Sequence, residues 1–363
     1  MIPLISNRKV LCPIRGYHVI NYPEERVRQK LLKQLLKFNG ALQSHIALEV
    51  KTALGRADIV IYDEQLTPFL TIELKALNEI INELTLEQVM RYWVNLKSPF
   101  VAISNGRHTN IYQVIDSTPK LIKETDIVKF LAIQEIEYPK LMKLKRLPFD
   151  LSTYDRYIQY LVENGYVSSQ TITDKQRWFS ELQNALLTET YTPTERELPI
   201  YIEADFGTSY YAFKNAANGA WDGMHRSFRV DVKNRGSFVF RISMIASATS
   251  QNDPTFGNRK GATSLNIAMQ THSSSTYNLQ LNLDKYTKES MVDYTIWHSG
   301  VKSRMKKEKV LRAVAQFAPN LLNQQSIELA TLPTERSITF EEFSLFIENL
   351  ILYSVSRDFA LTI

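Results

Sequence analysis

The chain has 363 residues, 44% hydrophobic and 22% charged, a balance that excludes a disordered or fibrous protein and leaves room for two globular domains. A net charge of +5 is compatible with a nucleic-acid partner without requiring one. Cys12 is the sole cysteine, which excludes an intrachain disulfide and a cysteine-based zinc site and points to a reducing compartment, the cytoplasm. No signal-peptide pattern and no apolar run of about 18 residues occurs, so no membrane segment is expected.

Pro23 opens the first predicted helix, and Glu24 and Glu25 suit its positive end. Val27, Leu31, Leu32, Leu35 and Phe38 line its apolar face, and Gly40 is expected to end it. At about 100° per residue, Glu24 and Arg28 fall inside that face and Glu25 at its margin. A strand follows at about 44–50. Residues 57–62 and 69–74 are β-branched apolar runs around a polar segment ending in Pro68, the pattern of a β-hairpin. A hairpin symmetric about residues 65 and 66 pairs position i with 131 − i, which sets Asp58 directly opposite Glu73. Opposed Cβ atoms lie roughly 4.5–5.5 Å apart, so the two carboxylates crowd each other. A divalent cation is the simple compensation, since Mg²⁺ typically takes one or two carboxylates together with waters and phosphates. Lys75, two residues beyond Glu73, shares its face of the strand. Glu49-Val50-Lys51 has the same spelling but no registered upstream Asp, and reads as a strand end with a solvated ion pair.

The predicted helix at 84–96 presents Leu86, Val89, Met90, Trp93 and Leu96 as a core stripe, with Gln88 and Tyr92 together on another face. Apolar runs at 99–104 and 109–115 are joined through Asn105-Gly106, a hairpin signal. The order so far is helix, three strands, helix, strand, strand.

Beyond 120 the pattern changes. Helical stretches are predicted at 127–136, 150–164 and 174–188, then about seven strands between 198 and 298, then helices near 304–317 and 340–357. The expected division is an α/β domain at 1–120, a helical connector at 121–195 and a β-rich, sandwich-like domain with terminal helices at 196–363. Gly257-Asn258-Arg259-Lys260-Gly261 lacks the spacing of a phosphate-binding loop and reads as an exposed turn. Lys302, Arg304, Lys306, Lys307 and Lys309 form a basic run, either a solvated helix start or a phosphate contact. His272 and His298 lack metal-ligand spacing and read as structural.

Asp58 with Glu73-Leu74-Lys75 resembles the Asp…(Asp/Glu)-X-Lys signature of the PD-(D/E)XK nucleases, with Ala57 where the family name has Pro. With Pro23-Glu24-Glu25-Arg26-Val27-Arg28-Gln29, Arg56-Ala57-Asp58-Ile59-Val60-Ile61-Tyr62-Asp63 and Ser104-Asn105-Gly106 added, residues 8–116 are similar to the N-terminal nuclease domain of type I restriction enzyme R subunits. The resemblance implies a restriction-endonuclease-like αβββαβ core and a metal-dependent endodeoxyribonuclease related to restriction or defence. It further implies Mg²⁺, with Mn²⁺ able to substitute, held by Asp58, Glu73 and the Leu74 carbonyl, and Lys75 completing the catalytic set. Gln88 and Tyr92 resemble a motif associated with DNA contact in one branch of these nucleases. Glu24 and Glu25 have two readings: complements to the helix dipole, or a first-helix acid leaning over the metal. No Walker A sequence occurs, so no ATP-driven motor is expected in this chain. DNA is the expected partner, and a partner subunit or a second copy is compatible with the resemblance. The alternative is a non-catalytic nucleic-acid-binding or interaction protein that keeps the nuclease fold.

Overall fold

The computed structural model describes residues 9–15, 18–134, 136, 142, 144–149, 151–214, 220–254, 257–270, 275–301 and 305–360. The chain divides into two units, Met1–Leu141 and Met142–Ile363.

In the first unit a short ribbon of β1 (Lys9–Leu11) and β2 (His18–Ile20) precedes α1 (Pro23–Phe38). Pro23 costs the first helical turn no hydrogen bond, and Asn39 rather than Gly40 caps the helix end. The Asn39 carboxamide then accepts the Ala41 N–H and starts a 3₁₀ turn at Gly40–His45. The chain continues as β3 (Ile46–Thr52), β4 (Gly55–Tyr62), β5 (Pro68–Leu74), α2 (Glu83–Leu96), β6 (Phe100–Ser104), β7 (Thr109–Ile115) and β8 (Thr118–Leu121). These strands form one six-stranded sheet in sequence order. The β5–β6 pair alone is parallel, because α2 carries the chain back across the sheet before β6 begins. Leu32 and Leu35 of α1 pack with Ile59, Ile61, Leu70 and Ile72 on one face. Val89 and Trp93 of α2 pack with Val101 and Ile103 on the other. Burial on both faces is why the central strands read as nearly continuous apolar runs.

A third helix, α3 (Ile127–Ala132), is capped by Asp126, whose carboxylate accepts the Val128 and Lys129 N–H groups. It buries Ile127, Phe130 and Leu131 in the α1-side core. The first unit therefore runs past residue 120, and the stretch expected as a connector is shared between the two units.

In the second unit α4 (Leu151–Glu163) and α5 (Thr173–Thr188) come first. Trp178, Phe179, Leu182 and Leu186 of α5 are core residues, so this helix belongs to the unit's interior. The strands that follow are β9 (Ile200–Lys214), β10 (Ala220–Val232), β11 (Gly236–Ser247), β12 (Ser250–Asp253), β13 (Gly257–Arg259), β14 (Ala262–Gln270) and β15 (Ser275–Asn282). Five of them form an antiparallel sheet in the order β15-β14-β11-β10-β9, and β12 and β13 form a separate ribbon. The two strands expected at 198–204 and 209–213 are one long β9, paired to β10 through register shifts near Arg226–Val230. A bulged strand changes face partway, which breaks the alternation on which a sequence reading depends.

After α6 (Leu283–Tyr286) come β16 (Thr287–Glu289), β17 (Asp293–His298), α7 (Lys307–Phe317), β18 (Leu322–Asn323), β19 (Ser326–Pro333) and α8 (Phe340–Phe359). Strands β16, β17, β19 and β18, in that order, make a second sheet. Helix α8 is closed at its start by a capping box of Thr339 and Glu342, and it is buried on nearly every side. It contacts β15 of one sheet and β19 of the other. The strand-rich half is thus a mixed α/β unit, with α5, α7 and α8 in the same core as both sheets. Among the described residues no helix is long and apolar enough to cross a membrane.

Candidate active site

The β4–β5 ladder pairs Ile59 with Ile72, Val60 with Thr71 and Ile61 with Leu70, each pair summing to 131. The ladder stops at the Ile59–Ile72 pair; continued one step outward, the same register would set Asp58 against Glu73, and the Asp58 charge acts on Glu73. On the other side of β4 the ladder pairs Leu48 with Ile59 and Val50 with Ala57, so Glu49 of β3 flanks Asp58 as well. Three acids, Glu49, Asp58 and Glu73, therefore form a row across three adjacent strands. Among the described residues three cations attend the row: Arg28, Lys75 and, on Glu49, the exposed Arg56. Arg28, buried in α1, donates from Nη2 to Asp58 Oδ1 at 2.5 Å and from Nη1 to Glu25 Oε2 at 2.5 Å, and also pairs with Glu49. Lys75 Nζ donates to Glu73 Oε1 at 3.0 Å and to Gln88 Oε1 at 2.9 Å.

The remaining carboxylate oxygens separate the two central acids. Asp58 Oδ2 accepts the Leu74 backbone N–H at 2.7 Å, so Asp58 is held at both oxygens. Glu73 is 3% exposed, and its Oε2 is buried with no hydrogen-bond partner among the described residues. Burial pushes the Glu73 carboxyl up to about 7, and the Asp58 charge adds to the shift against the opposing pull of Lys75. Burial also raises Asp58, although the Leu74 N–H and Arg28 work the other way. For Lys75, burial favours the neutral amine, but the hydrogen bond and charge of Glu73 outweigh it and its pKa rises. Lys75 is an ammonium at neutral pH.

An orphaned, buried carboxylate oxygen beside a second carboxylate suits a hard cation, and two acids plus a carbonyl is a donor set that Mg²⁺ accepts. Among the described residues no three His, Cys, Asp or Glu side chains already converge as a ligand set. The fit rests on Asp58, Glu73 and the Leu74 carbonyl, completed by oxygen from outside the protein.

The other sequence-expected residues divide. Gln88 and Tyr92 adjoin the row: Gln88 links Lys75 to Tyr92, donating from Nε2 to the Tyr92 hydroxyl at 2.9 Å. Of the first-helix acids, Glu25 is the buried one, reversing the helical-wheel placement, because Arg28 and Gln29 both donate to its carboxylate. Glu24 is exposed, and its carboxyl is raised by desolvation and then by Asp58, with Lys75 opposing, so it is the acid that senses the row. Sequence reasoning gave no role to Arg28 and set Glu49 aside. The signal for Arg28 was a charged residue inside an apolar helical face. Glu49 is not a solvated strand end: it is half-buried, held at φ +58° and paired with Arg28 and Arg56.

In the second unit His298 is buried, its Nδ1 accepting the Gly300 N–H and the Tyr353 hydroxyl, a structural role. Gly257–Arg259 is an exposed strand. His272, Lys302 and Arg304 lie outside the described residues, and Lys307 and Lys309 open α7.

No curated protein and no solved structure matches the chain. Residues 23–127, which hold the acid row, Lys75, Gln88 and Tyr92, match the family of the type I restriction enzyme R protein N terminus.

Proposed function

We propose that the first unit is a metal-dependent nuclease that hydrolyses phosphodiester bonds in DNA, related to restriction or defence. The observation that carries the reading is the nearness of Asp58 and Glu73 on adjacent strands, with Glu73 Oε2 buried beside Lys75 and unpartnered among the described residues. Asp58, Glu73 and the Leu74 carbonyl would hold Mg²⁺ or Mn²⁺. When bound, that ion supplies Lewis acidity toward the phosphate and a polarised water at neutral pH. Lys75 stays protonated, so its work is charge stabilisation and orientation: its ammonium offsets negative charge growing on the phosphorane and aligns the attacking water. Gln88 fixes the Lys75 ammonium from the α2 side, and Tyr92 fixes Gln88, so the pair positions both the lysine and a DNA strand lying over it.

One observation favours a second reading, a nucleic-acid-binding or interaction protein that keeps this fold without turnover. The Arg28 guanidinium already compensates Asp58 and Glu49, filling part of the role a cation would take. A cleavage assay separates the two, using linear, circular, single-stranded and modified DNA with Mg²⁺ or Mn²⁺ and with EDTA. Cleavage that EDTA stops is expected. Lys75→Ala should lower it by about 10²–10³-fold while leaving folding and metal-induced thermal stabilisation in place. A variant that cuts as fast as the parent would assign the activity to another site.

A further inference from the structure

Two loops of the first unit meet beside Lys75. One, residues 75–82, runs from β5 to α2, and the other, residues 105–108, joins β6 to β7. The Lys75 backbone N–H donates to the Ser104 carbonyl at 2.9 Å, so both loops leave from one pair of strand ends. Between them runs an open groove of about 520 Å³, whose lining includes Leu77, Asn78, Ile80, Arg107, His108 and Asn110. That is room for a small molecule or one unit of a polymer, since ligand sites run to roughly 300–1,000 Å³.

The walls of the groove are fixed. The buried Asn105 carboxamide donates to the Glu79 carbonyl at 2.7 Å on one wall. On the other it accepts the Arg107 and His108 N–H groups at 3.0 and 2.8 Å. The Glu79 carboxylate is turned back on its own loop, where Oε1 accepts the Ala76 N–H at 3.3 Å. Its charge acts on both Lys75 and Glu24, which sets the groove against the acid row.

Three properties of the lining select an occupant. Ile80 is 81% exposed and Leu77 42%, so apolar surface lies open. Arg107 is exposed, and among the described residues it forms no salt bridge. Asn78 and Asn110 bring carboxamides, which donate and accept together. A flat apolar face, a hydrogen-bonding edge and an anion are the three parts of a nucleotide. In a duplex the base faces are stacked on one another and closed to side chains, so only an unstacked base can lie against Ile80.

We infer that the groove holds one unstacked nucleotide of the DNA strand lying over Lys75, its base against Ile80 and Leu77 and its phosphate on Arg107. The first unit therefore prefers single-stranded or frayed DNA to intact duplex. The inference rests on the nuclease reading for the path of the strand, but it is read by binding and not by cleavage.

The full chain is titrated into a short fluorescein-labelled single strand, and into the blunt duplex of the same sequence, with anisotropy as the readout. The titrations are run in EDTA and again in Ca²⁺ at several salt concentrations, with the strands checked on a gel for intactness. The single strand should bind more tightly than the duplex by about tenfold or more. Ile80→Ser should weaken single-strand binding about three- to tenfold and leave its salt dependence unchanged. Arg107→Gln should weaken it by a similar factor and lower the slope of log K against log salt by about 0.7, the share of one phosphate. Both side chains are exposed, so neither variant should shift the melting temperature. The proposal is overturned if the parent binds the duplex as tightly as the single strand, or if either variant binds the single strand as tightly as the parent. Failure of the nuclease reading looks different. A chain that binds through Ile80 and Arg107 yet cuts nothing with Mg²⁺ keeps the groove and loses the hydrolysis. Cutting that EDTA stops, with both variants binding like the parent, keeps the hydrolysis and loses the groove.

Discussion

Glu73 holds a proton in the folded chain over a pH range in which the unfolded chain has released it. Its folded pKa is raised from 4.5 to about 7, so between those values the folded state binds more protons than the unfolded one. Stability of the metal-free protein therefore falls as pH rises through this window, with a slope of up to about 1.4 kcal/mol per pH unit from this one group. Denaturant titrations at pH 5 and pH 7.5 should show the loss in the parent and little of it in Glu73→Gln. An unchanged pH dependence in the variant would assign the effect to other groups. Arg28 makes the complementary case. With Arg28→Gln, Glu25, Glu49 and Asp58 lose their shared partner, and breaking a buried charge network of this kind costs about 3–5 kcal/mol. Mg²⁺ should recover more melting temperature in this variant than in the parent, because the cation then meets acids with no competing guanidinium. Equal gains in both proteins would mean that Arg28 and the metal do not contend for the same carboxylates.

The elements that bring these residues together depend on one close approach. Gly55, the first residue of β4 after the turn from β3, has φ +136°, and a Cβ added there would lie 2.6 Å from Tyr92 Cε1. Gly55→Ala must therefore strain the turn or move the tyrosine ring, at a cost of about 1–3 kcal/mol. Because Tyr92 anchors Gln88 and Gln88 anchors Lys75, whose charge acts in the transition state, kcat should fall more than KM rises. Tyr92→Phe, which keeps the ring and loses the hydroxyl, separates ring position from hydrogen bonding. If Gly55→Ala melts and cuts like the parent, the α2 face is not held by this contact. The hairpin that sets Asp58 against Glu73 was legible in the sequence because two apolar runs and a Pro-terminated turn fix a local register. Arg28 and Glu49 were not, because the contacts of Arg28 with Asp58 and Glu49 span 30 and 21 positions (58 − 28, 49 − 28) and form only after α1 docks on the sheet. The positive φ of Glu49 likewise has no sequence signal in a residue that is neither Gly nor Asn. In the second unit the β9–β10 register shifts hid one long strand as two, and α5, read as part of a helical connector, contributes to the unit's core.

At the scale of the molecule, the position of α3 decides which fragment can stand alone. Ile127, Phe130 and Leu131 are each 4% exposed or less, and burying such side chains contributes roughly 1.5–3 kcal/mol apiece. A chain ending at 141 should melt cooperatively, whereas one ending at 120 forfeits a large part of a typical domain's ~5–15 kcal/mol. Near-ultraviolet circular dichroism should show a sharp transition for the longer fragment and a broad one for the shorter. If both melt equally sharply, α3 is dispensable to the unit. Cys12, fully buried in the same core, carries the molecule's lone thiol. A slow alkylating reagent can reach that sulfur only when the first unit opens, so its consumption is a native clock for that opening. The second unit has no sulfhydryl to spend and stays silent on the same clock. The opening rate of one half of the chain can thus be read in the intact protein, without a label, a truncation or an engineered probe.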